Sequence, residues 1–134
     1  MNKLTEQVAE QEIKRWLNAR KTSDKKIESM ESAIKEMTNF IMEGKLIVND
    51  DDTLKQVLDF PIGDEAIITE LKFKNRISVG DIQKRMTGNN VKSGDIDGRL
   101  MVYASALTSQ SFATIAKMDS SDYTITSTVA SFFF

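Results

Sequence analysis

Residues 54–74 read Leu-Lys-Gln-Val-Leu-Asp-Phe-Pro-Ile-Gly-Asp-Glu-Ala-Ile-Ile-Thr-Glu-Leu-Lys-Phe-Lys, and this stretch decides the fold class. From Ala66 to Lys74, Ile67, Thr69, Leu71 and Phe73 alternate with Ile68, Glu70, Lys72 and Lys74, the two-residue period of a half-buried strand. The run from Leu54 to Phe60 predicts a second strand, with Ile62-Gly63-Asp64-Glu65 as the turn between them. Pro61 stands at the entrance to that turn, where a missing N–H costs least. Leu46-Ile47-Val48 is a third β-like run, set off by Asn49-Asp50-Asp51-Asp52, whose carboxylates repel one another unless solvated. A small antiparallel hairpin or three-stranded meander is expected here.

On both sides of this stretch the periodicity is helical. Leu4 to Arg20 is rich in Glu, Gln, Lys, Arg and Ala, and Leu4, Val8, Ile13, Trp16 and Leu17 fall mostly on one side. Lys21-Thr22-Ser23-Asp24 interrupts the pattern, and Ser23 or Thr22 can cap a second helix running to about Gly44. Its positions Ile27, Met30, Ile34, Met37 and Ile41 have the a/d spacing of a coiled-coil seam. That seam can pack on the first helix or pair between chains. Beyond the strands, Ser78 is placed to cap a helix over Val79 to Met86, stopped by Thr87-Gly88-Asn89-Asn90. A longer helix follows from about Ser93, with Ile96, Leu100, Tyr103, Ala104 and Leu107 on one apolar face despite Gly98. Ser109 or Thr108 then starts a short helix through Phe112, Ile115 and Ala116, and Asp119 caps a last one, Ser120 to Phe134. The expected fold is α+β: an N-terminal helical pair over residues 1–45, then residues 46–134 with the small sheet and a C-terminal helical cluster, folding as one cooperative unit.

Composition removes whole classes of function. The chain has 134 residues and neither cysteine nor histidine, so it lacks a thiol nucleophile, an imidazole base and the usual zinc ligands. Eighteen Lys and Arg against 20 Asp and Glu leave a net charge of -2, with no global attraction for phosphate backbones or anionic membranes. The first residues contain no signal-peptide core, and no run approaches the ~20 apolar residues of a membrane span. A cytoplasmic, nonenzymatic protein without cofactor or metal is expected.

Three constellations have chemical alternatives. Asp50-Asp51-Asp52 supplies oxygen ligands for a hard cation, but lacks the Gly and Glu positions of an EF-hand loop and reads as a solvated turn. Asp95-Ile96-Asp97-Gly98 places carboxylates at the positive end of a helix. Val79 to Leu107 has the outline of a helix-turn-helix, yet Asp95 and Asp97 are interleaved with Lys92 and Arg99 where base contacts would lie, and the turn is long. The terminal Phe132-Phe133-Phe134 either docks on the domain or offers an apolar patch to a partner.

From about Val57 onward the chain resembles the small tail assembly chaperones of contractile-tailed phages, the E-like proteins of Mu- and P2-type phages. The resemblance lies in Leu58-Asp59-Phe60-Pro61-Ile62 ahead of Ile68-Thr69-Glu70-Leu71-Lys72-Phe73, then Ser78-Val79-Gly80-Asp81-Ile82, and Ala104 to Thr108. It continues through Ile115-Ala116-Lys117-Met118-Asp119-Ser120-Ser121-Asp122-Tyr123 to Ala130-Ser131-Phe132-Phe133. Ile77-Ser78 stands where such proteins often have proline, and residues 1 to about 53 have no counterpart in the short members.

The resemblance implies an assembly factor of the host cytoplasm, absent from the mature virion, that coats the tape measure protein and recruits tail tube subunits. It also implies a frameshifted longer form of the chain as a partner; the sequence leaves homo-oligomerisation open. Adaptable apolar helix faces suit such a role, and Met30, Met37, Met42 and Met86 are flexible side chains on candidate faces. Ile34, Met37, Ile41, Tyr103, Leu107, Phe112 and Phe133 are the expected partner-binding residues. A structural or adaptor protein of the tail, or a helix-turn-helix DNA-binding regulator, are the alternatives.

The phenylalanine run predicts a uridine-rich gene end. Sequencing the gene from Ser131 onward is expected to reveal a slippery heptamer with an open -1 frame; mixed codons without an overlapping frame would contradict it.

Overall fold

The computed structural model describes residues 4–134 and has the α+β class, with helices before and after one antiparallel sheet in the chain. The elements are α1 (Glu6–Ala19), α2 (Asp24–Ser29), α3 (Glu31–Met42), β1 (Leu46–Val48), β2 (Leu54–Ile62), β3 (Ile68–Phe73), α4 (Val79–Gly88), α5 (Ile96–Thr108), α6 (Phe112–Ala116) and α7 (Ser120–Ser131). The strands form the meander β1-β2-β3.

Helix boundaries follow local chemistry. The side-chain oxygens of Thr5, Ser23, Ser78, Asp95, Ser111 and Asp119 accept a backbone N–H in the first turns of α1, α2, α4, α5, α6 and α7, satisfying donors that have no partner inside a helix. Gly44, at φ 77°, ends the helical run before β1, in the left-handed conformation glycine adopts without strain. The single helix expected from Ser23 to Gly44 is two. At Met30 the backbone leaves helical geometry, φ -109° and ψ 22°, and its N–H bonds to both Lys26 and Ile27 carbonyls. The cap of α6 is Ser111 rather than Ser109 or Thr108, because Thr108 closes α5 and Ser109 takes the left-handed C-cap position, φ 59°.

Gly98 sits inside α5 for a steric reason. A Cβ there would collide with the Asp95 carboxylate that caps the helix through the Gly98 N–H at 2.9 Å. Burial on α5 is also wider than one stripe: Val102, Ala104, Ser105, Ala106, Leu107 and Thr108 are all buried, while Ile96 is exposed. The helix is central, packed by α4, α6, α7 and β3, and a helix covered on several sides is apolar on several sides.

Leu46, Val48, Leu54, Leu58, Leu71 and Phe73 fill the covered face of the sheet, with α7 on β2, α5 on β3, and α1 and α3 on β1. The same apolar cluster contains Ile13, Trp16 and Met37 from the N-terminal helices and Leu107 and Val129 from the C-terminal ones. The alternation of β3 is interrupted near its start. Between the pairs Val57↔Glu70 and Ile62↔Ile68, β2 passes through residues 58–61 while β3 has only Thr69. This irregularity turns Ile68 partly inward and leaves Ile67 exposed, because an insertion in one strand changes which face later residues present. Pro61 lies within it, where no ladder donor is required.

The irregularity is held by α7. The carboxylate of Asp122, 2% exposed, accepts the Asp59 and Phe60 N–H groups at 3.0 and 2.9 Å, one on each oxygen. Gln56, fully buried in β2, donates Nε2 to the Asp122 carbonyl at 2.8 Å and accepts the Thr126 hydroxyl on Oε1 at 2.6 Å. Buried polar groups are tolerated when each finds a partner.

Asp122→Ala is expected to destabilise the fold by about 3 kcal/mol in urea denaturation, since two backbone donors lose their acceptor. Asp122→Asn, which keeps one acceptor oxygen, is expected to lose less. Gly98→Ala should cost about 1 kcal/mol through displacement of the Asp95 cap.

Candidate partner-binding groove

Helix α4 is fastened to α5 by an apolar patch and an arginine. Ile82, Val102 and Ala106 form a small buried cluster, flanked by Ile77, Met86, Val91, Tyr103 and Phe112. Arg85 reaches from α4 to the Ser105 hydroxyl at 3.2 Å and the Gln110 carbonyl at 3.0 Å, while Asp81 holds its Nε at 3.0 Å. Beside this attachment runs an open groove of about 390 Å³. Its apolar lining is Ile77, Val79, Ile82, Met86, Tyr103 and Phe133, and Ser78, Gln83, Ser93 and Arg99 supply polar groups. Val79, the first residue of α4, stands at the rim of this groove and is 80% exposed.

The terminal aromatics build the adjoining wall. Phe132 is buried edge-on against Trp16, with centroids 5.3 Å apart, and Phe133 tilts against the same ring at 6.5 Å. Phe134 packs edge-on with Tyr103 at 5.0 Å, under the Arg99 guanidinium at 4.7 Å. Aromatic pairs in such geometry contribute roughly 0.5–1.5 kcal/mol each beyond area burial. Trp16 is oriented in turn by its Nε1–H, which donates to Asn75 Oδ1 at 3.1 Å. The phenylalanine run is therefore docked, with Phe133 half-buried and Phe134 exposed.

A second, smaller depression of about 270 Å³ shares Ile77 and Phe133 with the groove and is otherwise lined by Arg20, Asn75, Arg76 and Phe132. The Arg20 guanidinium lies 3.9 Å above the Phe133 ring and 5.2 Å from that of Trp16. Burial, and secondarily the charge of Arg76, lowers its pKa to about 10.

The residues expected to bind a partner separate into four groups. Tyr103 and Phe133 come together in this groove. Ile34 is half-buried in another groove, between α1 and α3, with Ile27, Glu6, Glu10 and Glu31. Phe112 is half-buried against the Ile82 cluster. Met37, Ile41 and Leu107 are corrections: they are 0%, 2% and 0% exposed and belong to the core, Met37 and Ile41 because the a/d seam of α3 packs on α1 and Leu107 because α5 is covered by α4, α6, α7 and β3. A side chain without surface cannot contact a partner in this fold. Ile77, Val79, Ile82, Arg20, Arg76 and Arg99 were not singled out from sequence as groove residues, and no local signal marks them, because they come together from segments distant in the chain.

The other constellations resolve locally. Asp51 accepts the Thr53 hydroxyl and N–H, which hold its carboxyl below the usual range, and Asp52 pairs with Arg15 at 2.7 Å. Among the described residues no three Asp or Glu side chains gather as a metal-ligand set, and no helix is long and apolar enough to cross a membrane. Helix α5, packed by four elements, presents little beyond its first turn for a nucleic-acid groove. No family model matches the chain, and neither a curated protein nor a solved structure does.

Met37→Ala is expected to lower stability by about 2–5 kcal/mol, whereas Val79→Ala should change it by less than about 0.5 kcal/mol. Parallel urea denaturation of the two variants separates core from groove.

Proposed function

We propose that the chain is a nonenzymatic tail assembly chaperone that seats amphipathic helices of the tape measure protein in the groove between α4 and α5 and helps recruit tail tube subunits. The observation that carries this reading is the open groove itself, in which Ile77, Ile82, Tyr103, Phe133 and the flexible thioether of Met86 lie beside polar groups and Arg99. Helix recognition in grooves uses apolar anchors at i, i+3, i+4 and i+7, and the single methionine of the lining, Met86, adapts to anchors of differing shape. The order of short stretches along residues 57–134 that resembles the E-like chaperones supports the same reading, as does the absence of histidine and cysteine chemistry. The N-terminal helices join the common core and place Trp16 and Arg20 under the terminal aromatics. In this reading they support the groove wall. The protein acts in the host cytoplasm and leaves before the particle is complete.

Coexpression with the tape measure protein of the same genome is expected to keep that protein soluble and to copurify it. The pair Val79→Asp and Tyr103→Asp should reduce capture about tenfold or more, while Phe60→Asp, on the exposed hairpin, leaves it unchanged. Tape measure protein that is equally insoluble with and without the chain would refute the proposal. Mass spectrometry of purified particles should find the chain missing; stoichiometric incorporation would identify a structural tail component instead.

A further inference from the structure

The chain is acidic overall, yet the two adjoining depressions are lined by Arg20, Arg76 and Arg99 and by no Asp or Glu. Among the described residues none of these three arginines has a carboxylate within salt-bridge distance, whereas Arg15 and Arg85 each do. The Arg20 guanidinium differs from the other two in holding a buried donor without an acceptor. Its Nη1 and Nη2 make only long bonds to neutral acceptors, the Thr22 hydroxyl at 3.3 Å and the Phe132 carbonyl at 3.4 Å, and its buried Nε has no acceptor. Arg76 adds a second positive charge nearby, its Nη1 donating to the Arg20 carbonyl at 3.4 Å. Two like charges at a partly desolvated site repel each other unless an anion intervenes.

We propose that the cleft between Arg20 and Arg76 binds a carboxylate, that of a Glu or Asp flanking the apolar stripe of the helix docked between α4 and α5. The assignment deepens the function proposed above and rests on it for the source of the carboxylate. Planar guanidinium groups match carboxylate geometry with paired N–H donors, and Phe133 holds the Arg20 plane in place. Because the cleft and the groove share Ile77 and Phe133, one bound helix can fill the groove with apolar anchors and reach the arginines from its next turn. The occupant is thus a helix with an acidic end, and the arginines fix its direction in the groove.

The first test uses the full chain and propionate, the carboxylate of a glutamate side chain, with propionamide as its neutral isostere. Arginine Nε–Hε resonances are followed by NMR at constant ionic strength. Propionate should shift Arg20 and Arg76 saturably, and propionamide or chloride should not. Arg76→Gln, on an exposed side chain that does not disturb the Trp16 stack, should weaken propionate binding about tenfold. Absence of saturable shifts, or equal shifts in Arg76→Gln, overturns the site whatever the tape measure protein does.

The second test replaces each Glu or Asp at the ends of a captured tape measure segment by Gln or Asn. One replacement should weaken binding to the native chain about tenfold and leave binding to Arg76→Gln unchanged, the signature of a coupled pair. Capture insensitive to every such replacement overturns the assignment while leaving the chaperone reading intact. Saturable propionate binding without any tape measure capture does the reverse.

Discussion

The hydrogen bonds joining Asp122 and Thr126 of α7 to Gln56, Asp59 and Phe60 of β2 are the constraint on which the rest of the structure depends. They cross from the C-terminal helix to the middle of the sheet, inside the core, where an unmade bond is costly. A glutamine on the covered face of a central strand is unfavourable by itself. Its partners exist only when α7 lies in one register on β2. The network therefore selects that register more sharply than the surrounding apolar contacts, which tolerate sliding. It also stabilises the strand irregularity around Pro61 by giving two backbone donors a charged acceptor.

Placement of α7 has consequences at its end. With the helix pinned near Asp122, its last turn delivers Phe132 to Trp16 and Phe133 to Arg20. Those contacts unite the first and last helices around the sheet, and the Trp16 ring is oriented from a third direction by Asn75. The floor and one wall of the groove are thus assembled from residues far apart in the chain. Helix α4 completes it, attached to α5 through Ile82 and the Arg85 bonds. The rest of α4 remains open, which is why an apolar groove survives on a domain with a well-filled core.

Charge is distributed against the average. A net charge of -2 argues against binding any polyanion over the whole surface, but local recognition depends on which charges are paired nearby. Arg15 and Arg85 are compensated by Asp52 and Asp81 and serve the fold. Arg20, Arg76 and Arg99 are gathered beside the groove, and the stacking of Arg20 and Arg99 on aromatic rings offsets part of their desolvation without neutralising them. In the proposed role, a groove bordered by cations would select among amphipathic helices by their charge as well as by their shape.

The α+β class, a small antiparallel sheet, the caps at Ser78 and Asp119 and the stop at Gly44 were legible in the sequence, since each rests on local periodicity or on a side chain bonding its own backbone. The choice of a meander over a hairpin and of Ser23 over Thr22 as a cap came from the structure. The sequence was less informative where local signals are ambiguous. The break at Met30 preserves the apolar period, so Ile27 to Ile41 read as one helix, and the seam did not reveal that its partner is α1. Met37, Ile41 and Leu107 looked like surface anchors because an apolar stripe has the same pattern whether it faces the core or a partner. Tyr103 and Phe133 were recognised individually, but their meeting with Val79, and the gathering of Arg20 and Arg76 from just beyond the C-terminal ends of α1 and β3, depend on contacts between distant segments. Only the tertiary structure decided which stripes were covered and which cations lacked a counter-charge, because burial and electrostatic compensation are properties of neighbours in space.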